Sequence, residues 1–148
     1  MNRINALFTI GYEGRNVKDF TSRLKDYGIQ TLVDVRDIPL SRKKGFSKTP
    51  LAEYLQEEGI EYIHIKKLGS PKPLRDKVRE DGNYEYFYKE YTTYIQSQGE
   101  SVETLYKIVT NTNVCIMCYE REPDSCHRRA VAEEVKKRDG NGLVVQHI

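Results

Sequence analysis

Apolar residues recur along this chain in short dense blocks, and between the blocks their spacing shifts from alternate positions to every third or fourth. The blocks at residues 7–12, 31–36, 61–65, 113–119 and 143–148 are rich in Val, Ile and aromatic side chains and predict five strands. Between the first two, Asn16 caps a helix whose Val17, Phe20, Leu24 and Tyr27 fall on one face, and Gly28 ends it. Thr49 as N-cap, Pro50 in the first turn and Gly59 at the end bracket a second helix. Residues 84–95 form an aromatic helix with Tyr84, Phe87, Tyr88, Tyr91 and Ile95 on one face. Ser101 opens another that carries Val102, Leu105 and Val109.

After the fourth strand, Asp124 or Ser125 serves as N-cap for a last helix, with Ala130, Val131 and Val135 inward. Strand and helix thus alternate, which predicts an α/β fold: a single domain, residues 1–148, with a five-stranded, mainly parallel sheet and helices on both faces. The least regular stretches are 38–47 and 69–83, read as loops rich in Pro, Gly, Lys and Arg. The aromatic stripe is best explained by core packing, which leaves Tyr86, off the stripe, as a contact residue.

Length and charge narrow the picture further. A chain of 148 residues encloses a core without staples, and its three cysteines are an odd number. No segment approaches the ~20 apolar residues that span a bilayer, and the mean hydropathy is −0.70. The expectation is a cytoplasmic protein with no membrane role. Net charge is only +2, but residues 36–79 hold eleven basic side chains against six acidic ones. Such a segment attracts phosphate-bearing ligands, whether an anionic small molecule or nucleic acid, and is also what a solvated surface looks like.

Ligands of parallel sheets bind beyond the carboxyl ends of the strands, and here those ends are polar. Tyr12-Glu13 closes the first strand; Asp34 and Arg36 share a face of the second; His64 and Lys66 close the third; Cys118 and Glu120 share a face of the fourth; His147 closes the fifth. Asp34 lies in an apolar strand and needs a partner, for which Arg36 is nearest. Its pairing with Arg36 is read either as a structural ion pair or as a substrate-orienting one, and His64 either as a satisfied interior histidine or as a site residue.

Cys115 and Cys118 have C-x-x-C spacing, yet positions three apart on a strand point to opposite faces, which argues against a zinc knuckle. Adjacent Cys126 and His127 diverge by about 100° on a helix. No metal and no cofactor are assigned. Cys118 and Cys126 flank one strand-to-helix turn, with Arg121, Arg128 and Arg129 nearby. A thiol so placed ionises more readily than an ordinary one, and Glu120 or His127 could move protons beside it.

Thr9-Ile10-Gly11, Asp34-Val35-Arg36 followed by Pro39 and Ser41, Gly59-Ile60 with Tyr62 and His64, Leu68-Gly69, Cys118 with Glu120, Cys126-His127-Arg128 and the closing Val145-Gln146-His147-Ile148 run the length of the chain. Together they resemble the recurring pattern of the domain of unknown function 488 family. The resemblance implies a compact α/β domain with a polar pocket built from the Asp-Val-Arg and Cys-His-Arg segments, and no established activity. The candidate catalytic residues are then Cys118, Glu120, Cys126 and His127, and the candidate substrate-binding residues Asp34, Arg36, Ser41, His64 and Arg128. Three functions follow: an enzyme acting on an anionic, phosphate-containing or nucleic-acid substrate, a non-catalytic nucleic-acid-binding module using the loops that contain Arg42, Lys43, Lys44, Lys72, Arg75 and Arg79, or a thiol redox sensor using Cys118 and Cys126. Oligomeric state is not legible.

Overall fold

The computed structural model describes residues 6–121, 127–140 and 142–148. Five strands form one sheet in the order β3-β2-β4-β1-β5. They are β1 (Ala6–Gly11), β2 (Thr31–Asp34), β3 (Glu61–His64), β4 (Val114–Cys118) and β5 (Val144–His147), and every pairing is parallel. The expected strands are all present; β1 lies one position earlier than expected, and the other four are slightly shorter at their ends.

Alternation along the strands sorts their side chains between two cores. On one face Ile10, Leu32, Cys115 and Met117 pack under α1 (Val17–Asp26) and α2 (Lys48–Glu57). On the other, Leu7, Val33, Ile116 and Cys118 pack under α4 (Tyr84–Gln96), α5 (Gly99–Asn111) and α6 (Arg128–Arg138). Cys115 and Cys118 therefore belong to opposite faces, and Cys115 is a buried free thiol whose pKa burial pushes up.

Asn16 caps α1 through a bond from the Asp19 amide at 2.8 Å. The second helix begins earlier than Thr49. Ser47 takes the N-cap position without capping, because its hydroxyl is bonded instead to the backbone of Ser41.

Residues 72–81, read from sequence as loop, form a helix, α3 (Lys72–Asp81). Its prolines lie at the start, where no amide is lost, and Gly82 ends it with a left-handed φ of 66°. Leu74 and Val78 pack against the core, and the i,i+4 ion pairs Lys72–Asp76 and Lys77–Asp81 run along the outside. The expected N-cap at Asp124 or Ser125 lies outside the described residues; α6 begins at Arg128.

Central β4 leads to a helix on one face, whereas its neighbours β1 and β2 lead to helices on the other. The connections part there, opening a crevice at the carboxyl end of the sheet. Two glycines allow backbones to close around it. A Cβ on Gly11 would lie 1.8 Å from the Glu120 carbonyl oxygen, and one on Gly69 would lie 2.2 Å from the Asp37 nitrogen.

Candidate functional site

The crevice is a cavity of about 510 Å³ with three walls. The first grows from β2. Asp34 is fully buried and its carboxylate accepts from the Arg36 amide at 3.0 Å, from Arg36 Nε at 2.9 Å and Nη2 at 2.7 Å, and from the Tyr62 hydroxyl. A buried ion pair of this kind is tolerable because both carboxylate oxygens accept hydrogen bonds beyond the charge contact. Burial works against the Arg36 charge, but the Asp34 carboxylate bonded to it holds its pKa above the ordinary value. Burial and the same carboxylate raise Tyr62. Arg36 Nη1 donates to the Tyr12 hydroxyl at 3.3 Å, and the guanidinium lies 5.3 Å over the Tyr12 ring. His64 Nε2 donates to the Arg36 carbonyl at 2.7 Å, so this histidine holds the backbone behind the wall.

The second wall follows β4. The sheet is prolonged past its end by bonds from the Tyr12 amide to the Cys118 carbonyl and from the Glu13 amide to the Tyr119 carbonyl. Cys118 is disulfide-bonded, and Cys126 lies outside the described residues. Arg128, 1% exposed, braces this wall from behind: Nη1 is 3.1 Å from Cys118 Sγ, Nε donates to Thr9 Oγ1 at 3.1 Å, and Nη2 donates to the Arg121 carbonyl at 2.9 Å. His127 donates from Nε2 to the Val35 carbonyl at 2.8 Å and sets its ring edge-on against Tyr91. Burial, with Arg128 adjacent, lowers His127 to about 4. Glu120 is half-buried, and that burial raises its carboxyl above the usual carboxylate range.

The third wall is the rim of α3 and the start of α4. Arg75 is bonded at 2.9 Å to Asp37, whose other oxygen takes Lys66 at 2.8 Å. Burial opposes the Asp37 charge, but those two cations hold its carboxyl below the usual range. Arg79, one turn further on, is exposed and has no hydrogen bond or ion pair among the described residues. Val78, Tyr84, Phe87, Ile38 and Leu40 line the cavity together with it.

Of the residues expected from the sequence, Arg36, Cys118, Glu120 and His127 line the cavity, and Asp34 stands directly behind Arg36. Ser41 lies in a turn stitched to Ser47, His64 behind Arg36 and Arg128 behind Cys118; none of these three is among the lining residues. Asp37, Ile38, Leu40, Ser70, Tyr84 and Tyr119 are among the lining residues that the sequence did not mark as site residues. Tyr84, assigned to the core stripe, is 53% exposed. As the first residue of α4 it projects past the packed part of the stripe.

The profile of a family of domains of unknown function, DUF488, matches residues 16–135. The chain belongs to the DUF488 family. Every lining residue except Tyr12 falls inside the matched span, and β5 falls wholly outside it. No curated protein and no solved structure matches the chain. No helix among the described residues is long and apolar enough to cross a membrane.

Proposed function

We propose that this DUF488 protein binds a phosphate-bearing anion in the cavity between α3 and the end of β4, and acts on it as an enzyme of the cytoplasm. One observation carries the reading: Arg79, an exposed guanidinium with no ion pair among the described residues, faces the same cavity as Arg36 and Glu120. Guanidinium groups grip phosphate oxygens in pairs of charge-assisted bonds. Glu120 is the acid of this proposal, because a carboxyl with a raised pKa keeps its proton at a pH where an ordinary one has lost it. Arg36, anchored by Asp34, fixes the wall that grows from β2. Arg128 acts through Cys118 rather than on the ligand: its guanidinium lies 3.1 Å from the sulfur of the residue that serves as nucleophile when reduced. His127, held neutral at physiological pH, orients the backbone of β2.

A titration calorimetry experiment with inorganic phosphate and pyrophosphate at low ionic strength tests the reading. Binding to the wild-type chain that weakens about tenfold or more in R79A upholds it, as a charge-assisted contact of 1.5–3 kcal/mol requires. No heat from either anion sinks it.

A second reading, redox sensing, is favoured by the disulfide at Cys118. Its partner in that proposal is Cys126, as the sequence suggests. Mild reduction should then release two thiols in the folded protein beyond buried Cys115, and release of none would rule it out.

A further inference from the structure

Large apolar side chains that stay exposed are few among the described residues: Ile38, Leu40, Tyr84, Tyr86, Tyr119 and Val144. Four of them, Ile38, Leu40, Tyr84 and Tyr119, line the one cavity that also holds Arg79. Inorganic phosphate has no use for such a rim. Apolar surface concentrated at a mouth marks a ligand with an apolar part, and the cationic side chain beside it marks an anionic part.

The rings at the floor and those at the rim differ in what already covers them. Tyr12 is stacked on Phe46 at 4.6 Å and has the Arg36 guanidinium over its ring, so its faces are taken. Tyr119 meets Tyr12 edge-on at 83° and is 48% exposed. Tyr84 has no ring partner among the described residues, and it opens α4 just past the αL turn at Gly82 that follows Arg79's helix. A flat π-system and a dianion are thus offered neighbouring sites, and the cavity volume of about 510 Å³ lies within the range of roughly 300–1,000 Å³ typical of sites for small organic ligands.

Resting on the anion reading above, we infer that the ligand is a nucleoside phosphate, free or at the end of a single strand, with its phosphate on Arg79 and its base on the Tyr84 ring. Exposed Ile38, Leu40 and Tyr119, which line the same cavity, supply the apolar surface for the rest of the base.

Calorimetric titration of the full chain with ribose 5-phosphate, with each nucleoside 5′-monophosphate and with a 5′-phosphorylated single-stranded tetranucleotide tests this. Base stacking on a tyrosine should make at least one monophosphate bind roughly ten- to a hundredfold tighter than ribose 5-phosphate. Y84A should erase that difference while Y84F keeps it. Tyr84 is exposed, so both variants are expected to fold. A tetranucleotide tighter than the mononucleotide identifies a strand end as the source; one equal or weaker identifies the free nucleotide, and either upholds the inference. Equal binding of ribose 5-phosphate and the monophosphates overturns the base shelf and leaves the anion site standing. An advantage that survives in Y84A also overturns it. No binding of any of them overturns the anion site as well.

Discussion

Arg36 and Arg79 line one cavity, and they answer to different forces. Arg36 is nearly buried, and its fork is fixed by Asp34, with Tyr12 beneath it and His64 holding its carbonyl. Arg79 stands in solvent on α3 without a hydrogen-bonded partner among the described residues. A charge taken out of water must be compensated at once by the protein, so it becomes part of the structure. A charge left in water costs nothing to hold and keeps its donors for a ligand. The same contrast separates Arg128, locked behind Cys118 and Thr9, from Arg79, whereas Lys72, Arg75 and Lys77 of α3 are already ion-paired. The wall at β2 and β4 shapes the cavity, and in the reading proposed above Arg79 on the α3 rim takes the ligand.

The largest test of that contrast is D34A. It leaves the Arg36 guanidinium buried without its counter-charge and the Tyr62 hydroxyl without its acceptor. Removing one partner of a buried pair costs about 3–5 kcal/mol. In a chain of this size each kcal/mol lowers Tm by about 2–4 °C, so thermal unfolding should come down by roughly 6–20 °C. A drop of only a degree or two would mean that the β2 wall is no more structural than the rim.

A smaller effect tests the β4 side. Burial keeps His127 at about 4 instead of 6.5, so between these values the unfolded chain takes up a proton that the folded chain refuses. The stability tied to this residue is intact above about pH 6.5, falls as the pH drops, and is lost in full near pH 4, an amount of about 3 kcal/mol. H127Q keeps a donor for the Val35 carbonyl but has nothing to titrate. Urea unfolding of both proteins from pH 7 to pH 4 should show a steeper decline in the wild type. Parallel curves would place His127 in contact with solvent.

The two sides of the cavity also differ in how far the sequence exposes them. Strand ends were legible because a parallel sheet gathers them at one edge, and dense runs such as 31–36 and 113–119 have one plausible structure. So Arg36, Cys118 and Glu120 could be placed near one another before any coordinates. The rim was legible as a basic segment with Arg75 and Arg79, and not as a helix. In α3 only Leu74 and Val78 carry the helical period, while Pro71, Pro73, Gly82 and the many charges speak for loop. Its helix is stabilised from outside, by packing and by pairs such as Lys72–Asp76, which propensity does not weigh. Nor could sequence tell which arginines are saturated. The partners of Arg128 and His127, Thr9 and Val35, lie 119 and 92 positions away.

The smallest expected effect is also the one that sharpens the contrast most. R79A removes a guanidinium that bonds to nothing among the described residues, at an exposed position inside a helix where alanine is the better helix former. Its loss to solvent leaves no buried partner behind, and neighbouring Val78, which packs α3 on the core, is untouched. Stability should therefore change by no more than about 0.5 kcal/mol in either direction, read as an unmoved urea midpoint. The same substitution is expected to weaken phosphate binding, so its two readouts should separate, whereas D34A should move stability first and binding only through loss of the fold. If R79A instead destabilised the chain by about 2 kcal/mol, Arg79 would belong with Arg36 among the charges that hold the cavity together. Neither the anion site nor the base shelf beside it could then be assigned to a side chain kept in reserve for a ligand.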